Sequence, residues 1–169
     1  MKIGIYYGST TGNTRSAAAA LADALKGAGE VALHDVGSDG LAGMADCDLI
    51  LLGSSTWGLG DMQDDWVAHQ DLPGINLEGK TVAVFGTGDQ TGFSDSFVNA
   101  IGTLADSAEK AGAHLVGAWP TDGYDLLEST AVRNGRFVGL ALDEDNQADQ
   151  TQTRIAQWVA QLKTELGLC

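Results

Sequence analysis

Short apolar runs alternate with amphipathic stretches along the whole chain. The runs are rich in Val, Ile and Leu and are apolar on both faces, which is typical of central strands in a parallel sheet. They predict strands at residues 2–7, 31–36, 49–53, 81–86 and 114–119, and a further run follows at 137–142. The segment 120–136 separates the last two runs, so we expect an insertion that folds onto the edge of the sheet.

Between the apolar runs, apolar side chains recur at the spacing of a helix face. Such a stretch covers residues 13–28, where Gly27 and Gly29 are expected to end the helix. Two others run from Phe97 to Ala111 and from Ile155 to Leu166. Strand and helix alternating in one chain predict a doubly wound α/β sandwich with five main parallel strands. We expect one domain over residues 1–169.

Composition narrows the possible environments and partners. The chain has 169 residues, 44% of them hydrophobic, and no apolar run approaches the roughly 20 residues of a membrane span. The first residues lack a cleavage site for a signal peptide, so we expect a cytoplasmic protein. A net charge of −14 argues against nucleic acid and anionic membranes as partners. This charge fits simple solubility, and it fits steering of a basic partner protein equally well.

Only two cysteines are present, which argues against a disulfide framework or a metal cluster. Cys47 leads into an apolar run and is expected in the core, whereas Cys169 is the last residue and is expected to be exposed and open to oxidation between molecules. The three histidines are scattered over three elements with no nucleophile at a diagnostic spacing beside them. We therefore predict no catalytic triad and no metal site.

The first loop, residues 8–14 (GSTTGNT), joins a strand to a helix and has the composition of a phosphate-binding loop. Asn13 stands where a Walker A loop needs lysine, so binding of a nucleoside triphosphate is not expected. Backbone N–H groups at a helix N-terminus, together with hydroxyl side chains, can still surround one phosphate monoester. The alternative is an ordinary capped helix start, where Thr and Asn are common.

The loops after the third and fourth strands carry exposed aromatic candidates. In an open α/β sheet, ligands lie outside the carboxyl ends of strands where the winding reverses. Trp57 follows the third strand, and Phe93 follows the fourth, so a planar ring could lie between them. The glycines Gly86, Gly88 and Gly92 do not have the spacing of a dinucleotide fingerprint, which excludes the NAD hypothesis. Trp119 and Trp158 lie on core-type patterns and are expected to be structural.

Five segments together resemble the long-chain flavodoxins: GSTTGNT, STWGLGDMQDDW, GTGDQTGFSDSF, TDGYD and RNGRFVGLALDEDNQ. They occur in family order over nearly the whole chain, and residues 120–136 fall where the long-chain family has its extra loop. Flavodoxin is itself the standard example of a 2-1-3-4-5 sheet with FMN where the winding reverses, so this strand order comes with the resemblance.

The resemblance implies a low-potential one-electron carrier that uses the semiquinone/hydroquinone couple of non-covalently bound FMN. It also implies a monomer and basic redox partners of the flavodoxin or ferredoxin reductase type. The overall likeness extends to flavodoxins that feed nitrogenase, whose iron protein would then be a partner. Phe93 replaces the family's usual tyrosine and lacks its hydroxyl. The implied cofactor contacts are Ser9, Thr10, Thr11, Gly12, Asn13, Thr14, Ser55, Thr56, Trp57, Gly58, Leu59, Gly60, Thr87, Gly88, Asp89, Phe93 and Ser96.

Two features of the loops after the third and fourth strands suggest how the redox potential of the flavin is set. The loops contain several carboxylates, which would oppose a negative charge on the reduced ring: Asp61, Asp64, Asp65, Asp89 and Asp95. A rotated Gly58-Leu59 peptide could offer its carbonyl to the protonated N5 of the semiquinone, in a conformation that glycine adopts at little cost. On that basis, Gly58→Ala is expected to lower the semiquinone maximum.

Two other functions share this topology. An FMN-dependent NAD(P)H:quinone reductase would need space for a second substrate above the ring, which Trp57 and Phe93 are expected to cover. A receiver-like signalling module would need clustered acidic residues after the first strand and a phosphorylatable aspartate after the third. The sequence has hydroxyl residues and Trp57 at those places.

Overall fold

The computed structural model describes residues 1–69, 71–72 and 74–168, so the prediction for Cys169 lies outside the described residues. The central parallel sheet has the spatial order fifth, fourth, third, first, second. This is the 2-1-3-4-5 order carried over from the family, and it is confirmed. Its strands are Lys2–Gly8, Glu30–Asp35, Leu49–Trp57 and Thr81–Thr87, with the fifth position shared by His114–Leu115 and Leu140–Leu142.

The third strand is longer than its apolar run predicts. It continues to Trp57 because backbone pairing with the first and fourth strands extends through Ser54 and Ser55. The short antiparallel strand Asp61–Met62 then pairs with its last two residues. The buried Ser54 hydroxyl donates to the carbonyl oxygen of Ser55 at 2.8 Å. Backbone hydrogen bonds therefore extend the third strand through polar residues, up to the edge of the sheet where ligands are expected.

The fifth strand position is divided, as the sequence predicts, but its halves are shorter than the apolar runs. Of the two runs, the described residues that pair with the fourth strand are His114–Leu115 and Leu140–Leu142. Trp119–Pro120 instead pairs with Arg136–Phe137, which also pairs with Val132–Arg133, in a small antiparallel sheet. The end of the first run and the start of the second therefore pair with each other in this small sheet and not with the fourth strand.

In the described part of the chain, three long helices cover the sheet, at Asn13–Leu25, Asn99–Lys110 and Thr151–Glu165. Phe97 was predicted on the second helix but precedes it, because Val98 has a left-handed φ of 49°. Among the residues that the structure describes, the connections from the second to the third strand and from the third to the fourth strand contain short helical turns instead of long helices. The alternation of strand and helix is therefore incomplete in the described part of the chain. These turns are Val36–Asp39, Met44–Asp46 and Asp64–Trp66. A further turn, Ala148–Gln150, directly precedes the last helix.

The core lies on both faces of the sheet and contains the residues predicted as structural. Trp158 is fully buried, and Trp119 and Cys47 are each 8% exposed. At Gly53 the third strand lies against the ring of Phe85 so closely that a Cβ would be 2.2 Å from its Cζ. None of the helices in the described part of the chain has the length and apolar character needed to span a bilayer.

Candidate functional site

A cavity of about 210 Å³ opens at the carboxyl edge of the sheet. The loops after the first, third and fourth strands form it. These loops meet there because the three strands are adjacent and parallel. No lysine or arginine is among the described residues that line it. The lining residues are Thr11, Asn13, Ser55, Thr56, Trp57, Thr87, Gly88, Asp89, Phe93 and Asp145.

The first loop leads into a helix whose N-terminus has no side-chain cap. Gly12 precedes the helix with a φ of 97°, and a Cβ there would meet no atom within 4 Å. The first intrahelical bond runs from Ser16 N–H to the Gly12 carbonyl at 2.9 Å, so the preceding N–H groups of the helix have no partner within it. This is not the capped start that the alternative hypothesis requires. The N–H groups are available to an anion.

The hydroxyls of the first loop differ in their surroundings. Ser9 Oγ accepts from Gly12 N–H at 3.1 Å, and Thr10 is exposed. Thr14 is fully buried, and its hydroxyl shares a 3.1 Å hydrogen bond with that of Thr87. The side chain of Thr14 therefore connects the start of the helix to the fourth strand.

Arg15, the basic residue nearest to the loop in sequence, points elsewhere. Its guanidinium donates to the Asp35 carboxylate at 3.4 Å at the end of the second strand. A phosphate in the first loop would therefore meet backbone N–H groups and hydroxyls, which are neutral donors.

The third-strand loop holds Trp57 at the cavity with its indole fixed. Trp57 is 40% exposed, and its Nε1–H donates to Ser55 Oγ at 2.8 Å. Thr56 Oγ1 accepts from Ala100 N–H at 3.0 Å, which caps the second helix. The loop is thus anchored to the helix beneath it, while the ring of Trp57 stays at the surface.

The turn after Trp57 carries the other predicted contacts of this loop, none of which lines the cavity. Gly60 N–H donates to the Trp57 carbonyl at 3.1 Å, and Gly58 has a φ of 54°. Ser96, which is buried, donates from its hydroxyl to the Gly58 carbonyl at 3.4 Å. Leu59 is 89% exposed. The turn therefore follows directly after a lining residue, Trp57, but lies outside the lining itself.

The fourth-strand loop carries Phe93, which lines the cavity and is 43% exposed. Asp89 shapes this loop, because its carboxylate accepts from Thr91 N–H, Gly92 N–H and the Asn146 side chain. The bonds from Gly92 and Asn146 are the main cause of the lowered pKa of Asp89. Trp57 and Phe93 are thus two partly exposed aromatic rings on separate loops around one cavity.

The insertion braces the loop that carries Phe93, through residues that sequence reasoning missed. Gln90 is 3% exposed, and its side chain donates to Asp143 and Gln147 and accepts from Asp125 N–H of the insertion. Ser94 O accepts from two further N–H groups of the insertion. Nothing in the local pattern marks Gln90, because all its partners come from distant parts of the chain.

Asp145 is a further cavity residue that the sequence analysis missed. Leu142 pairs with Thr87, so the loops after these two strands are adjacent, and Asp145 follows three residues later. The rule that ligands lie at carboxyl ends of strands would have found it if extended to the fifth strand. Partial desolvation raises the pKa of Asp145, and the carboxylates of Asp89 and Asp143 raise it further.

Of the acidic residues expected around a bound ring, only Asp89 lines the cavity. Asp65 instead accepts from the side-chain amide of Gln63 at 2.9 Å, beneath the first loop. Asp61, Asp64 and Asp95 also lie outside the lining. Among the described residues, no group of three His, Cys, Asp or Glu side chains is placed to hold a metal ion.

Comparison with known proteins gives one consistent result. The family model for flavodoxin matches residues 5–158. The chain is 48% identical to the flavodoxin of Nostoc sp. over 99% of this chain and 98% of that protein, and 41% identical to flavodoxin 2 of Escherichia coli over the same shares. The crystal structure of Fusobacterium nucleatum flavodoxin bound to flavin mononucleotide superposes with a TM-score of 0.91 at 33% identity, covering 97% of this chain and 98% of that one.

Proposed function

Because the chain belongs to the flavodoxin family, we propose that it carries single electrons on an FMN held non-covalently between Trp57 and Phe93. Flavodoxins are electron-transfer proteins and not enzymes, which removes both the quinone reductase and the receiver hypotheses. The observation that carries the assignment to this site is an uncapped helix N-terminus beside a cavity with two partly exposed aromatic rings.

The first loop has the donors that a phosphate monoester needs. A terminal phosphate offers only acceptor atoms when it is fully ionised, and the helix N-terminus presents N–H groups with a favourable dipole. The loop from Ser9 to Thr14 would therefore hold the FMN phosphate through backbone N–H groups and hydroxyls. The family resemblance and the absence of a side-chain cap support this role.

The ring would lie between the two aromatic loops, formed by residues 55–60 and 87–93. Offset stacking on Trp57 and Phe93 contributes about 0.5–1.5 kcal/mol for each aromatic pair beyond the area that it buries. The bond from the Trp57 indole to Ser55 holds one ring in place before the cofactor arrives. Phe93 can stack but has no hydroxyl to donate to solvent or to the cofactor.

When bound, FMN supplies the redox chemistry, because its ring system can accept and release one electron at a time. The protein would make the last reduction step unfavourable by placing Asp89 and Asp145 at the cavity wall. At an effective dielectric near 20, a charge about 10 Å away costs an added negative charge roughly 1.7 kcal/mol, or about 70 mV. Aromatic walls that exclude water strengthen this effect, because they reduce screening.

We propose basic redox partners for this acidic protein. A net charge of −14 attracts a positively charged docking face and repels other acidic proteins. Reductases of the flavodoxin or ferredoxin type, and the nitrogenase iron protein, are the proposed partners. We further propose that the protein acts as a cytoplasmic monomer and that residues 1–169 form one FMN-binding domain, with 120–136 as its long-chain loop.

An anaerobic NADPH assay separates a carrier from an enzyme. The FMN-loaded protein mixed with NADPH alone should keep its flavin absorbance. Addition of a catalytic amount of ferredoxin–NADP reductase should reduce the flavin by one electron and change its absorbance spectrum, and subsequent addition of cytochrome c should restore the original spectrum as electrons leave. Steady NADPH oxidation by the protein alone, with a quinone as acceptor, would contradict the proposal.

A further inference from the structure

A buried glutamine lies directly beneath the first loop, outside the cavity lining. Gln63 is 3% exposed and precedes the turn Asp64–Trp66. Its backbone N–H donates to Ser54 Oγ at 3.1 Å, which fixes its main chain at the end of the third strand. A Cβ at Gly8 would be 2.2 Å from Gln63 Oε1, so the first loop leaves no space between itself and this side chain.

The orientation of the Gln63 amide is determined by its neighbours. Asp65 N–H donates to Oε1 at 2.9 Å, and because a backbone N–H can only donate, the atom that it meets must be the oxygen. The two hydrogens of Nε2 then go to the Asp65 carboxylate at 2.9 Å and to Thr10 Oγ1 at 3.2 Å.

This arrangement determines which way the Thr10 hydroxyl can donate. Since Thr10 Oγ1 accepts from Gln63, its own hydrogen must point away from Gln63. Ser9 Oγ likewise accepts from Gly12 N–H, which leaves its hydrogen free. A fully ionised phosphate has acceptors only, so a hydroxyl fixed as a donor binds it better than one free to rotate.

We propose that Gln63 is a positioning residue that keeps the Thr10 hydroxyl as a donor in the first loop and thereby favours phosphorylated over unphosphorylated flavin. The inference rests on the proposed function, because it requires that the first loop holds the FMN phosphate. Gln63 also donates to the Asp65 carboxylate, which fixes the position of that side chain.

The test compares FMN with riboflavin, which lacks the phosphate, in fluorescence titrations of the apoprotein. Gln63→Met keeps the length of the side chain and removes both hydrogen-bonding groups. We expect the ratio of FMN to riboflavin affinity to fall about tenfold, which corresponds to about 1.4 kcal/mol, while riboflavin affinity changes little. The matched control is Gln90→Met, which alters an equally buried glutamine on the loop that carries Phe93. It should weaken the binding of both flavins by the same factor.

A double-mutant cycle tests whether Gln63 acts through Thr10. In a Thr10→Val background, Gln63→Met should leave the ratio unchanged, because the hydroxyl that it positions is absent. A full effect of Gln63→Met in that background would overturn the proposal, and so would an unchanged ratio in the single variant.

Gln63→Leu gives a second test if Gln63→Met does not fold. It cannot donate to Thr10 and adds no charge near the loop, so the ratio should again fall, and an unchanged ratio would overturn the inference. Equal affinity of the unmodified protein for FMN and riboflavin is a different result. It would refute the assignment of the first loop, and with it the proposed function.

Discussion

The central peptide of the turn from Trp57 to Gly60 joins Gly58 and Leu59. The geometry of the turn determines which of these two residues would be strained if that peptide rotated. Gly60 N–H donates to the Trp57 carbonyl, Gly58 has a φ of 54°, and Leu59 is not among the residues with positive φ. These are the φ signs of a type II′ turn. Rotation of the Gly58-Leu59 peptide changes ψ of Gly58 and φ of Leu59 but leaves φ of Gly58 positive. The rotated turn is type I′, which requires a left-handed Leu59.

Leu59→Gly should therefore favour the rotated turn. A left-handed conformation costs a residue with a Cβ about 1–2 kcal/mol, and glycine avoids this cost. The side chain is 89% exposed, so its removal takes away little packing. If the rotated carbonyl accepts from the one-electron-reduced flavin, the first reduction potential should rise by about 40–90 mV. A reductive titration of the FMN-loaded protein, followed by absorbance, measures this potential and the maximum amount of that species.

Gly58→Ala is the control, and here the structure changes the sequence-based expectation. Gly58 is left-handed in both turn types, so an added methyl should strain both alike and leave the potential nearly unchanged. The new Cβ would be 3.5 Å from Asp61 Oδ2, which is ordinary contact. If Gly58→Ala lowers the first potential while Leu59→Gly leaves it unchanged, the assignment of the strain to Leu59 is refuted.

Three further variants test the charges and the packing. Asp145→Asn removes a carboxylate from the cavity wall and should raise the potential of the second reduction step, by roughly 70 mV for a charge about 10 Å from the ring, in a redox titration. An unchanged potential would show that Asp145 has no electrostatic effect on the ring. Replacing the exposed Asp64 and Asp95 with asparagine should slow electron transfer to a basic partner at low salt and flatten its salt dependence in stopped-flow kinetics. An unchanged rate and slope would mean that these charges serve solubility alone. Gly53→Ala should destabilise the apoprotein by about 1–3 kcal/mol in thermal unfolding, because its Cβ would lie 2.2 Å from Phe85, and an unchanged midpoint would contradict this packing.

The parts of the fold that depend on local pattern could be predicted from the sequence. The parallel strands could be predicted because their apolar runs are short and apolar on both faces. The edge where the cavity lies could be predicted because the loops after parallel strands meet at the carboxyl ends of those strands. Trp57 could be predicted at the surface because it follows a buried apolar run. The fifth strand was less predictable, because periodicity cannot show whether Trp119 pairs with the central sheet or with the insertion.

Side-chain hydrogen bonds could not be predicted, because they join residues that only the fold brings together. The Thr14 hydroxyl is bound to Thr87, which is 73 residues away in the sequence. Gln63 and Gln90 are buried polar side chains whose partners lie on other elements, and glutamine is normally exposed. The uncapped helix at Gly12 was also not evident, since the same residues could have formed a cap.

The most direct test of the central claim is the affinity of the unmodified apoprotein for FMN, riboflavin and FAD, measured by titration under identical conditions. A terminal phosphate would form at least two charge-assisted hydrogen bonds with the loop from Ser9 to Thr14, each worth about 1.5–3 kcal/mol. The account predicts that FMN binds at least about 100-fold more tightly than riboflavin, and far more tightly than FAD, whose phosphates are not terminal. Equal affinities for FMN and riboflavin would contradict it.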